Sequence, residues 1–92
     1  MKTYMVGYDL NKPGQDYSEL IKAIEAYGTW WHHLDSTWII KSDLSATAIL
    51  NDLKLHVDKS DELLVARLQG DWNSVGFNQK GVDWLDRNMT YD

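Results

Sequence analysis

Apolar and polar positions along the chain follow two periods, and the switches between them mark out the elements. Residues 3–9 (Thr-Tyr-Met-Val-Gly-Tyr-Asp) carry β-formers on both faces, the pattern of a central strand covered on both sides. Asn11-Lys12-Pro13-Gly14 predicts a loop, with Pro13-Gly14 as its turn pair. Asp16 then opens a helix, with Glu19 three positions on as in a capping box. Tyr17, Leu20, Ile21, Ile24 and Tyr27 follow at helical spacing, and Gly28 suits the left-handed residue that closes such a helix. Thr29-Trp30-Trp31-His32-His33-Leu34 reads as a second strand, Asp35-Ser36 as a tight reversal, and Thr37-Trp38-Ile39-Ile40-Lys41 as the returning third strand. Ser42, Asp43 and Ser45 are alternative caps for a second helix, whose stripe is Ala46, Ile49, Leu50 and Leu53. Residues 62–68 form a fourth strand, again apolar on both faces. In the tail, Val82, Leu85 and Met89 predict a short helix capped by Asn78, although Gly81 weakens it.

Strand, helix, hairpin, helix, strand is the order of a ferredoxin-like βαββαβ unit, an α+β sandwich here followed by a short C-terminal helical tail. Residues 1–69 form that domain, and residues 70–92 form an extension packing on its own or a partner subunit. Both crossovers are long enough to hold a helix, so parallel, right-handed outer pairings are expected. Helices of such a unit cover one sheet face only, yet strands one and four are apolar on both. The other face therefore calls for a lid, and a symmetric homodimer is the simplest one.

Composition sharpens this picture. With 92 residues there is room for one domain, and with no cysteine there are neither disulfides nor thiolate ligands. Five Trp and five Tyr must supply much of the buried area, since each aromatic can bury roughly 150–250 Å². The apolar stretches are strand-length, which argues against a membrane span, and Asp9 interrupts the N-terminus too early for a signal peptide, so a cytoplasmic home is expected. Fourteen acidic against nine basic residues give a net charge of −5, and the bases are dispersed, with no basic helix face. That balance argues against tight nucleic-acid binding by an isolated monomer. It leaves open a metal-bridged contact or a protein partner that brings positive charge.

Candidate chemistry is sparse. Asp9 ends a central strand, where a carboxylate is desolvated unless it finds donors or a cation. Facing its own copy across a twofold axis, it would recruit a divalent metal such as Mg or Mn; alternatively it caps the loop at Asn11. His32 and His33 are adjacent on a strand, so their rings diverge and do not grip one ion; one is expected packed and the other solvated. Trp30, Trp31 and Trp38 lie on one hairpin and either stack bases or, as the neutral and acidic flanks favour, serve core and dimer packing. Trp31, His33 and Trp38 are the candidate contacts to nucleic acid or a partner. Asp58, Asp61 and Glu62 lack the glycine and spacing of a calcium loop and predict a solvated turn.

The segment Tyr4-Met5-Val6-Gly7-Tyr8-Asp9-Leu10 resembles the first strand of the small CRISPR adaptation protein, the partner of the CRISPR integrase, which ends in a Tyr-Asp pair. Gly28, Ser36-Thr37-Trp38 and residues 61–68 fall where that family has its Gly, its Ser-Val-Phe and its last apolar strand. Over the whole chain, Asp9-Leu10-Asn11, the hairpin between Gly28 and Ile40, and Ser45-Ala46 resemble short bacterial and phage proteins of the "SinR family". The resemblance implies a ferredoxin-like homodimer joined through its sheets. It implies either an adaptor or interaction module without catalysis, or a metal-dependent endonuclease cutting RNA or DNA, with Asp9 of both subunits as catalytic residue and metal ligand. The missing basic character and the longer hairpin favour the adaptor.

Overall fold

The computed structural model describes residues 1–12 and 14–89. The chain runs β1 (Lys2–Asp9), α1 (Ser18–Glu25), β2 (Trp30–Leu34), β3 (Thr37–Ser42), α2 (Ala46–Leu53), a 3₁₀ turn (Lys54–His56), β4 (Glu62–Leu68) and α3 (Gln79–Asn88). The strands form one sheet in the order β2-β3-β1-β4. Every neighbouring pair is antiparallel, with Val6 of β1 lying between Trp38 of β3 and Val65 of β4. The parallel outer pairings expected from the crossovers are thus corrected. Each helical crossover returns the chain in its original direction one strand further on, and the antiparallel strand slots into the gap.

Alternation along β1 splits its side chains between two cores. Tyr4 and Val6 join Leu20 and Ile24 of α1, Trp38 and Ile40 of β3, and Ile49 and Leu53 of α2 in the larger core. Burying each such aliphatic side chain stabilises by about 1.5–3 kcal/mol. Its buried polar tips find partners: Tyr4 Oη donates to the Leu44 carbonyl (2.7 Å), and Trp38 Nε1 donates to Tyr8 Oη (3.0 Å). On the opposite face Trp31, Ile39 and Leu85 form a second core, flanked by Leu68, Trp72, Phe77, Trp84 and Met89. The tail is therefore the lid of its own sheet. Asn88 at the end of α3 fastens it, its carbonyl accepting from Thr3 Oγ1 (2.7 Å) and Lys41 Nζ (3.3 Å).

The caps explain where the helices begin. Ser45 is the cap chosen for α2, its Oγ accepting the Ala48 N–H at 3.1 Å. Asn78 caps α3 as its sequence predicts, accepting the Gly81 N–H at 2.9 Å. At α1, Asp16 accepts the Ser18 N–H (2.9 Å) and the helix starts at Ser18; Glu19 faces Lys22 (3.6 Å) instead of closing a capping box. Gly28 has φ +91°, the left-handed closing residue. Of the expected Pro13-Gly14 turn, Pro13 lies outside the described residues, as do residues 90–92 of the tail. No helix among the described residues is long and apolar enough to cross a membrane.

Candidate functional site

β2 is an edge strand, and four of its five residues, Trp30, Trp31, His32 and His33, border a groove of about 400 Å³ whose far side is α3. Trp31 and His33 face α3, whereas Trp30 and His32 project to the other sheet face and border the groove along the strand's open edge. The α3 side is Lys80, Trp84 and Arg87, spaced four and three apart and so stacked on one helix stripe. No carboxylate among the described residues lines this groove, although acids outnumber bases in the chain. Neither Lys80 nor Arg87 makes an ion pair or side-chain hydrogen bond with a described residue.

Close packing fixes the groove wall. Trp31 is buried and donates its Nε1–H to the Gly81 carbonyl (3.1 Å), tying the edge strand to α3. The His33 ring leans on Trp31 (centroids 5.0 Å) and Phe77 (6.1 Å). A Cβ at position 81 would lie 3.1–3.3 Å from that ring, so glycine is what lets β2 and α3 approach. On the other sheet face, His32 stacks on Trp38 (3.8 Å, 12°), and Trp30 tilts against the same indole (5.2 Å, 58°). The two histidine rings diverge, as strand geometry requires; both residues keep substantial exposure.

Of the residues singled out from the sequence, Trp38 is 2% exposed and Trp31 3%, so both are core residues and neither presents a ring face to a ligand. The aromatic load of the hairpin is divided between two cores. His33 and the 39%-exposed Trp30 do reach the groove. Lys80, Trp84 and Arg87 were missed, because their meeting with β2 depends on how the tail folds back. The one sequence signal was their i, i+4, i+7 spacing on the predicted helix.

Asp9 is exposed at the end of β1, directly opposite Glu62 in the β1–β4 register. The Asn11 cap expected of it is made by Asp61 instead, whose Oδ1 accepts the Asn11 N–H and the Tyr17 hydroxyl, each at 2.7 Å. Asp61 Oδ2 accepts the Asp58 N–H (2.7 Å), and Asp58 accepts from the Ser60 hydroxyl (2.7 Å) and Lys12 (3.3 Å). The expected solvated turn is thus a polar knot joining two loops, the one after β1 and the one before β4. Partial burial pushes the Asp61 carboxyl up, but the donors from Asn11, Tyr17 and Asp58 outweigh it and leave it below the usual range. A depression of about 450 Å³ beside this knot, under Leu55 and Leu63, has its acids already engaged in those bonds.

Among the described residues no three His, Asp or Glu side chains come together as a metal site. No protein-family model, curated protein or solved structure matches the chain.

Proposed function

We propose that this chain is a non-catalytic adaptor or interaction module of ferredoxin-like architecture, related to the small CRISPR adaptation proteins and to the SinR family. The strand order β2-β3-β1-β4, with α1 and α2 against one face, supports the architecture. The observation that carries the adaptor reading is the groove between β2 and α3, where aromatic residues meet two cations that pair with no described residue. A homodimer belongs to the same proposal. α3 leaves a strip of the second face open, and Leu64 on β4 is 56% exposed there. A second copy would cover it.

A second reading is a metal-dependent endonuclease using Asp9 from both subunits. It is favoured by the register that sets Glu62 opposite Asp9, since like charges placed directly across a strand pair destabilise the sheet and a bound cation would relieve them. The two readings separate in a cleavage assay on RNA and DNA with magnesium, manganese or EDTA. The adaptor leaves both substrates uncut under all conditions. Metal-dependent cutting that disappears in Asp9→Ala would overturn it in favour of the nuclease.

A further inference from the structure

We infer that the second core holds a binding cavity for a small aromatic molecule of about indole size, apolar but for one polar edge. A helix is about 10 Å across, whereas four strands at about 4.8 Å spacing span about 14 Å between their outer axes. One helix and a loop therefore do not tile the second sheet face, and the gap they leave is a cavity of about 220 Å³. Met5, Ile39 and Leu68 form its floor on three strands, and Trp72, Phe77, Leu85 and Met89 close over it from the tail. The cavity lies behind the β2–α3 groove, sharing Trp31 with it, and does not depend on what the groove contacts.

Size limits the ligand. An apolar cavity of about 150 Å³ stays dry when empty and takes a single benzene ring. This one is about half as large again and so has room for a fused bicycle. It falls short of the roughly 300–1,000 Å³ that drug-sized ligands occupy.

Lining chemistry selects the class. No charged side chain among the described residues lines the cavity, so an ion entering it would lose water without gaining a counter-ion. Trp31 and Phe77 already meet edge to face, with centroids 5.0 Å apart and planes at 80°, an arrangement that a third ring extends. Met5 and Met89 carry flexible thioethers, which adapt to the outline of a ring and pack well at its edge. The Trp31 N–H is committed to the Gly81 carbonyl and makes no demand on a ligand. Polar character is local: Asn73 and Ser74 are adjacent, and exposed Asn73 lies with exposed Leu34 where the cavity meets solvent. Asn73 Oδ1 accepts the Ser74 N–H at 2.8 Å, which leaves the Ser74 hydroxyl without a bond to any described residue. That hydroxyl can accept one ligand N–H or O–H while the ring stays in the apolar part.

The test is titration of the full chain with indole, followed by NMR. Saturable shifts are expected at Trp31 and Trp72 and at the methyl groups of Met5, Ile39 and Leu85, with Trp38 in the other core unmoved. Bound indole should also show through-space contacts to the Met5 and Met89 methyl groups in the wild-type chain, a readout that needs no variant to fold. Met5→Trp, which fills the cavity from its floor, should abolish binding while holding or raising the urea midpoint. Ser74→Ala should weaken indole about three- to tenfold and leave naphthalene, which has no polar edge, unchanged. Absence of saturable shifts or of those methyl contacts, shifts centred on Trp38, or binding that survives Met5→Trp overturns the inference. Octanol preferred to indole overturns the aromatic class, and an equal response of both ligands to Ser74→Ala overturns the polar edge. Indole affinity that falls as the protein is concentrated also overturns it, because a side chain of a second copy then holds the cavity.

Discussion

A glycine inside a helix costs about 1 kcal/mol relative to alanine, so Gly81 needs a reason to be there. From the sequence it merely weakened the case for a C-terminal helix. The reason is distant in the chain: the His33 ring occupies the space a Cβ would fill. Gly81→Ala should therefore be close to neutral in the wild type, as helix propensity gained is lost to displacement of the ring. In a His33→Ala background the same change should stabilise by about 1 kcal/mol, read as a shift in urea midpoint. An equal effect in both backgrounds would mean that the two residues do not meet. Asp61 teaches the same lesson. Its pKa lies below the ordinary aspartate value, so its contribution is present above about pH 4 and is lost as pH falls through its lower folded value. Asp61→Asn should lower stability at neutral pH and flatten the acid limb of the stability curve; a limb as steep as wild type would contradict the knot. No local pattern distinguishes Asp61 from Asp9 as the carboxylate that holds Asn11, because the choice is made by how β4 returns beside β1.

At the scale of elements, periodicity was a good guide wherever one face of an element is buried by neighbours close in the sequence. β4 spans Glu62–Leu68 as its apolar run predicts, and the Asp35-Ser36 reversal joins β2 to β3. Pairing direction was not legible, since a crossover fixes which way a strand points and not which strand slips in between. Nor was the landing place of α3, because an amphipathic stripe does not state which apolar face it will cover. The cap of α3 is a direct check on its contribution. Asn78→Ala removes the acceptor of the Gly81 N–H and should destabilise by about 1 kcal/mol in urea unfolding. Leu85→Ala, at the centre of the second core, should cost about 2–5 kcal/mol and increase binding of a hydrophobic dye. Loss of stability without added dye binding would imply that the helix stays seated over a smaller core.

For the whole molecule, the sequence argument for a partner rested on a second sheet face too apolar to stay wet. α3 answers most of that requirement within one chain, and what remains is a strip around Leu64 with Asp9 and Glu62 at its end. A homodimer through that strip predicts twice the chain mass by light scattering at micromolar concentration, and Leu64→Lys should return it to the monomer. A monomeric wild type would remove the second copy from the proposal without touching the groove. The groove itself was hidden from the sequence because its walls lie some 50 positions apart, as the Trp31–Gly81 hydrogen bond that joins them does. Dispersed charge in a sequence says little about charge in a fold that brings two lysine- and arginine-bearing turns beside an aromatic edge.

The five tryptophans make the central claim directly measurable, since each indole N–H gives its own signal in a nitrogen-correlated NMR spectrum. If α3 is the lid of the second sheet face, Leu85→Ala should move the signals of Trp31, Trp72 and Trp84, which pack with it. Trp38, in the core of the other face, should stay in place. A shift of Trp38 with the signals of Trp31 and Trp84 unmoved would contradict the account.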